Sequence, residues 1–170
     1  MTDLDALIRS VLADREVTYE RVEEGVLVVN LKGEHKLSTN LLLQVGAHSL
    51  LLEAFVVRHP DENHEAFYRF LLERNARLYG VHFAVDHLGD VYLVGRIPLH
   101  AVTEDELDRL LGCVLEYSDS TFDQALEIGF GSAIRREWAW RTSRGEPVDN
   151  LRAFARFADP DARRGPATRP

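Results

Sequence analysis

Residues 49–58, SLLLEAFVVR, constrain the fold more than any other stretch of this chain. As an extended strand they place Leu50, Leu52, Ala54 and Val56 on one face. The other face carries Leu51, Phe55 and Val57, interrupted by Glu53. A strand this apolar on both faces belongs in the middle of a sheet. Just upstream, residues 36–45 alternate, with Leu37, Leu41, Leu43 and Val45 opposite Lys36, Ser38, Asn40 and Gln44. Gly46-Ala47-His48 between the two runs reads as a hairpin turn. Residues 26–31 (VLVVNL), bounded by Gly25 and Gly33, supply another strand, and 17–22 a shorter one. Residues 81–87 and 91–97 form a further hairpin about Leu88-Gly89-Asp90, and Pro98 ends it.

Helical periodicity brackets these strands. Leu4, Leu7, Ile8, Val11 and Leu12 make one apolar stripe over 3–14, with Thr2 or Asp3 as cap. A second helix spans about 63–79, after His59-Pro60, with Asp61 or Asn63 as cap and Gly80 as stop. Phe67, Phe70, Leu71 and Leu78 share its stripe, on which Arg74 is the polar exception. Thr103-Glu104-Asp105-Glu106 is a capping box, with Glu106 reaching back to the Thr103 amide. The third helix carries Leu107, Leu110, Leu111, Val114, Leu115, Phe122, Ala125 and Leu126 until Gly129 or Gly131 ends or kinks it. To residue 128 it is about 39 Å long at ~1.5 Å per residue. Thr142–Pro147 reads as a linker, and 148–157 as a short helix with Leu151, Phe154 and Phe157 on one face. No βαβ alternation occurs. Strand runs joined by short turns predict an α+β fold, a twisted antiparallel sheet packed with helices. The expected organisation is a main domain over 1–131, an Arg/Trp-rich helical extension over 132–157 and a disordered tail over 158–170.

Charge divides along the same line. The chain carries −8 overall, but residues 134–170 hold 9 Arg against 5 acidic residues, leaving −12 for the rest. An acidic main body argues against nucleic acid as a partner. No apolar run approaches the ~20 residues of a membrane span. Residues 1–10 lack a secretory signal, and the lone Cys113 has no disulfide partner, so a cytoplasmic location is expected.

Catalytic signatures are missing. The sequence has neither GxxxxGK[ST] nor GxGxxG, and no GxSxG elbow. Cys113, between Leu111 and Val114, reads as a small core hydrophobe. His59-Pro60-Asp61-Glu62-Asn63-His64 contains metal-ligand types, yet its spacing matches no zinc pattern and suits a strand-to-helix connection. His82, Asp86 and His87 form a second polar cluster, read as the solvated face of a hairpin. No catalytic, cofactor-binding or metal-binding residue is therefore assigned.

The most unusual segment holds both tryptophans among four arginines: Arg135, Arg136, Trp138, Trp140, Arg141 and Arg144. Trp and Arg join a large flat surface to a polar handle and are enriched in interface hot spots. Two readings stand side by side. The tryptophans pack back onto the body, or the six residues bind a partner.

Several strings together resemble the YbjN family, described as putative bacterial sensory transduction regulators. They are Lys36-Leu37-Ser38-Thr39, Glu53-Ala54-Phe55-Val56, Arg58-His59-Pro60-Asp61-Glu62-Asn63, Gly89-Asp90-Val91-Tyr92-Leu93-Val94-Gly95-Arg96 and Glu137-Trp138-Ala139-Trp140-Arg141. The resemblance covers about 3–130 and implies a type III secretion chaperone-like fold. It also implies a homodimer, made through about 63–87, with no catalytic residues to carry over. The expected function is a non-enzymatic regulatory or chaperone-like module that binds a polypeptide. The alternative is a small-molecule sensor or enzyme with a pocket near His59–His64 or His82–His87. A third possibility is a regulator that contacts nucleic acid through the Arg-rich end.

Overall fold

The structure, a computed structural model, describes residues 2–159, with side chains from residue 4. The side chains that would make the Thr2 or Asp3 cap are not among those described, and most of the 158–170 tail lies outside the described residues. The order is α1 (Thr2–Asp14), β1 (Thr18–Glu23), β2 (Val26–Leu31), β3 (Thr39–Val45), β4 (Ser49–Val57), α2 (His64–Asn75), β5 (His82–Val85), β6 (Val91–Pro98), α3 (Glu104–Arg144) and α4 (Ala155–Ala158). Single 3-10 segments at Leu99–Ala101 and Asp149–Phe154 precede α3 and α4.

All strand pairs are antiparallel, in the order β1-β2-β3-β4-β6-β5. The doubly apolar β4 does sit inside the sheet, between β3 and β6. Its Leu50, Leu52, Ala54 and Val56 are buried, together with Leu41 and Leu43 of β3 and Leu93 of β6. Helices α1, α2 and α3 close this face with Ile8, Leu12, Phe67, Leu107, Leu110 and Leu111. On the opposite face the register runs Glu20–Val28–Leu42–Glu53–Val94–His82 across all six strands. Phe55 and Tyr92 pair edge-on there, at 5.5 Å between ring centres.

Three elements differ from the sequence expectation, the first two because a tertiary hydrogen bond wins. Strand β3 begins at Thr39, not at 36. The amides of His35 and Lys36 both donate to Asp119 Oδ1 of α3, at 2.9 and 2.8 Å, and so leave the sheet ladder. Helix α2 ends at Asn75, well before Gly80. The Asn75 side chain accepts from the Phe83 amide at 2.7 Å and donates to its carbonyl at 3.1 Å, which pins the helix end to β5. Helix α3 runs unbroken through Gly129 and Gly131 for 41 residues, about 62 Å at ~1.5 Å per residue.

Both ends of α3 are capped from local sequence. Thr103 Oγ1 accepts from the Glu106 amide at 3.2 Å, but the Glu106 carboxylate turns outward to Tyr79 Oη and Arg109. Only half of the capping box therefore forms. At the far end Gly145 takes φ +69, its amide reaches Thr142 O, and the Glu146 amide reaches Arg141 O. This is a Schellman stop, and it shortens the expected 142–147 linker.

Candidate functional site

The segment 132–144 is the last third of α3 and continues the helix of the main body. Two tryptophans at i, i+2 must then face different sides. Trp138 is buried in a second apolar cluster with Leu151, Phe154, Phe157 and Ala158. Trp140 is 46 % exposed, and the Arg144 guanidinium lies over its ring at 4.8 Å. Arg141 is occupied in cis: it pairs with Glu137 at 2.6 Å and donates to Pro147 O and Asn150 Oδ1. Arg135 donates to Ser132 Oγ at 3.2 Å. Arg136 lines a shallow open hollow with Ala133, Glu137 and Trp140. The six residues thus split. Trp138 and Arg141 fasten the C-terminal cluster, exposed Arg135 turns to Ser132, and Arg136, Trp140 and Arg144 face outward.

The His59–His64 connection is a docking joint. The amides of Asp61 and Glu62 donate to Gly129 O at 2.9 and 3.1 Å, and Asn63 Nδ2 donates to Ile128 O at 3.0 Å. Asn63 holds φ +53 and makes no side-chain cap to α2. Arg58 grips Asp61 through its Nη1 and Nη2, at 2.7 and 2.8 Å, and lies 4.4 Å above the Phe130 ring. The Glu62 carboxylate accepts from the Ser132 amide at 2.5 Å and from its hydroxyl at 2.7 Å. Those bonds, the hydroxyl foremost, hold the Glu62 carboxyl below its ordinary range, helped by the charges of Arg135 and Arg136. The Arg58 hydrogen bond lowers Asp61 in the same direction, and the His59 amide lowers Asp90.

The second histidine cluster is not assembled. Asp86 lies beyond β5 and accepts from the amides of Leu88 and Asp90, at 2.8 and 2.9 Å. His82 and His87 are exposed. Among the described residues, no three His, Cys, Asp or Glu side chains converge as a metal site.

Two other surfaces escaped the sequence reading. One is an apolar hollow of about 290 Å³ between α2 and the edge strand β5. Leu72 and Val85 form its rim and are 66 % and 53 % exposed, and Tyr68 and Phe83 help to line it. The other is a groove of about 390 Å³ between α2 and α3, lined by Phe70, Arg74, Arg77, Tyr117 and Ser120. Arg74, the polar exception on the α2 stripe, was the available signal for it. Lys36 is also distinctive. It donates to Phe55 O near the rings of Phe55 and Phe122, and burial brings its amine down to about 8.

The sequence profile of a family described as "putative bacterial sensory transduction regulator", YbjN, matches residues 4–127. The chain belongs to the YbjN family. An uncharacterized protein of Mycobacterium leprae is 51 % identical over 159 residues, covering 91 % of this chain and 86 % of that protein. An uncharacterized protein of Mycobacterium tuberculosis is 60 % identical over 129 residues, covering 76 % of this chain and 70 % of that one.

Solved structures agree with the expected type III secretion chaperone-like fold. A chain of the ExsC–ExsE complex matches with TM-score 0.53 and 22 % identity, over 71 % of this chain and 91 % of that one. A chain of the HopA1–SchA chaperone–effector complex matches with TM-score 0.50 and 18 % identity, over 68 % and 89 %. No helix among the described residues is long and apolar enough to cross a membrane.

Proposed function

We propose that this chain is a non-enzymatic, chaperone-like module that binds a polypeptide and acts as a cytoplasmic homodimer in a regulatory pathway. The YbjN family and the chaperone-like fold support the class of function. The observation that carries the site is Trp140, a half-exposed indole beside Arg136 and Arg144 on a helix braced by the Trp138 cluster. An aromatic anchor ringed by cations on a rigid element suits an acidic, apolar segment of a partner chain. The four Arg against one Glu in residues 134–144 favour the same partner. The dimer contact is the hollow of Leu72 and Val85, where an edge strand and one helix flank present apolar surface together. This lies within the 63–87 region implied by the family.

Capture of the full-length protein from lysate of its source, with quantitative mass spectrometry of what co-purifies, tests the reading. One enriched polypeptide is expected, and it should be lost from a Trp140→Ala/Arg144→Ala double variant that keeps the wild-type melting curve. Equal capture by both proteins removes the assigned surface. Light scattering of the free protein should give twice 19.3 kDa, and Leu72→Glu should return it to one chain's mass. A wild-type mass of one chain at micromolar concentration refutes the dimer.

A further inference from the structure

Arg74 is the one residue of the α2 stripe that its apolar position does not explain. It is half-buried, and its guanidinium lies 5.6 Å from the centre of the Phe70 ring. Its Nη2 donates to Ser120 Oγ at 2.9 Å, while its Nε is buried with no hydrogen-bond partner. Arginines elsewhere, such as Arg15, Arg58 and Arg109, take a carboxylate. Among the described residues neither Arg74 nor Arg77 has one within ion-pair distance. A guanidinium edge withdrawn from water without a direct partner is costly, and an oxyanion relieves that cost through charge-assisted hydrogen bonds. Both arginines line the groove between α2 and α3. Ser120 accepts one bond from Arg74 and keeps its own hydroxyl proton to donate. Tyr117, whose hydroxyl accepts from the Tyr79 amide at 3.2 Å, makes part of the α3 wall.

We propose that this groove binds the carboxylate of a small organic acid with an apolar body, through Arg74, Arg77 and Ser120. Its volume of about 390 Å³ lies within the small-molecule range of roughly 300–1,000 Å³. Phe70 and Leu78 supply the apolar contact. Glu73 and Glu116 also line the groove, and their negative charges select a monoanion over a dianion such as a phosphate monoester. The site is separate from the Trp140 surface, 20 residues or about 30 Å further along α3. It stands or falls independently of the polypeptide-binding reading.

The test is a nuclear magnetic resonance titration of the full-length, nitrogen-15-labelled protein with phenylacetate. Phenylacetamide serves as the uncharged control, and phenyl phosphate as the dianion. Phenylacetate should shift the Arg74 Nε–H signal and the Tyr117 and Ser120 amides saturably, with the amide binding about tenfold more weakly or worse. Arg74→Lys keeps the charge without the planar fork, and should weaken phenylacetate by about tenfold. Arg77→Gln lies on the exposed rim, leaves the core untouched, and should weaken it by about threefold. The site is refuted if nothing shifts at tens of millimolar, if acid and amide bind alike, or if both variants bind as wild type. Phenyl phosphate binding as tightly as phenylacetate overturns the ligand class.

Discussion

Gly129 and Gly131 sit two residues apart inside one helix, and alanine should have opposite effects at them. Glycine in a helix interior costs about 1 kcal/mol relative to alanine. Propensity alone therefore predicts that Gly129→Ala and Gly131→Ala both stabilise. At Gly129 a Cβ would lie 2.8 Å from Pro60 Cβ and 2.9 and 3.1 Å from two Phe67 ring carbons. Phe67 is fully buried, and Pro60 belongs to the connection bonded to Gly129 O, so neither neighbour can simply swing away. Overpacking of this kind costs roughly 1–3 kcal/mol. Separating the chains would also stretch the two amide bonds to Gly129 O, each contributing about 0.5–1.5 kcal/mol. Less the propensity gain, Gly129→Ala should destabilise by about 2 kcal/mol. That lowers the melting temperature by about 4–8 °C for a chain of this size. At Gly131 the nearest atoms are Arg135 Nη1 at 3.4 Å and Glu62 Oε1 at 3.6 Å, the ends of flexible side chains. Gly131→Ala should therefore stabilise, by up to about 1 kcal/mol. Urea unfolding followed by far-ultraviolet circular dichroism, with matched thermal scans, measures both. A Gly129→Ala protein as stable as wild type would refute the close approach of the 58–63 connection to α3. So would two variants that move together.

Trp138→Ala should open the C-terminal cluster, since removing a buried Trp costs roughly 3–5 kcal/mol. Trypsin should then cut faster at Arg152 and Arg156, whereas Trp140→Ala should leave cleavage unchanged; equal acceleration by both would contradict their assigned faces. Acid should weaken the fold through Glu62, whose pKa lies below its ordinary 4.5 when folded. The unfolded chain takes up that proton first, so the stabilisation is full above about pH 4.5 and lost as pH falls through the folded value. Glu62→Gln should flatten the acid limb of the urea midpoint, and an unchanged limb would show that Ser132 does not hold the carboxylate.

Much of the architecture was legible locally. The two-faced run at 49–58 implied a central strand, and β4 occupies that place. The heptad-like stripe of α1, the turn at residues 46–48 and the Thr103 cap all rest on neighbours within a few residues, and all formed. Two of the misreadings share one cause. Asp119 and Asn75 bind segments 84 and 8 residues away, and those bonds reset where β3 begins and where α2 ends, while Gly129 serves the close approach of Pro60 and Phe67 and not a helix break. The candidate site was legible in composition but not in geometry. Six Arg and Trp residues stood out together, yet their division followed only from the helical phase, which turns Trp138 inward and Trp140 outward. Arg74 stood out as a polar residue on an apolar stripe, but its groove needs Ser120 and Tyr117 of α3.

Local pattern by itself determined the α+β class, the antiparallel run of strands and the separation of an acidic body from a basic end. Those properties depend on side-chain period, turn chemistry and charge count, which short windows of chain carry. Tertiary structure decided the length of α3, the meaning of Gly129, the scattering of the histidines, and which cations and aromatic rings remain free. Each depends on two segments distant in the chain meeting at a distance set by the packed core, where one backbone carbonyl or one missing Cβ settles what fits.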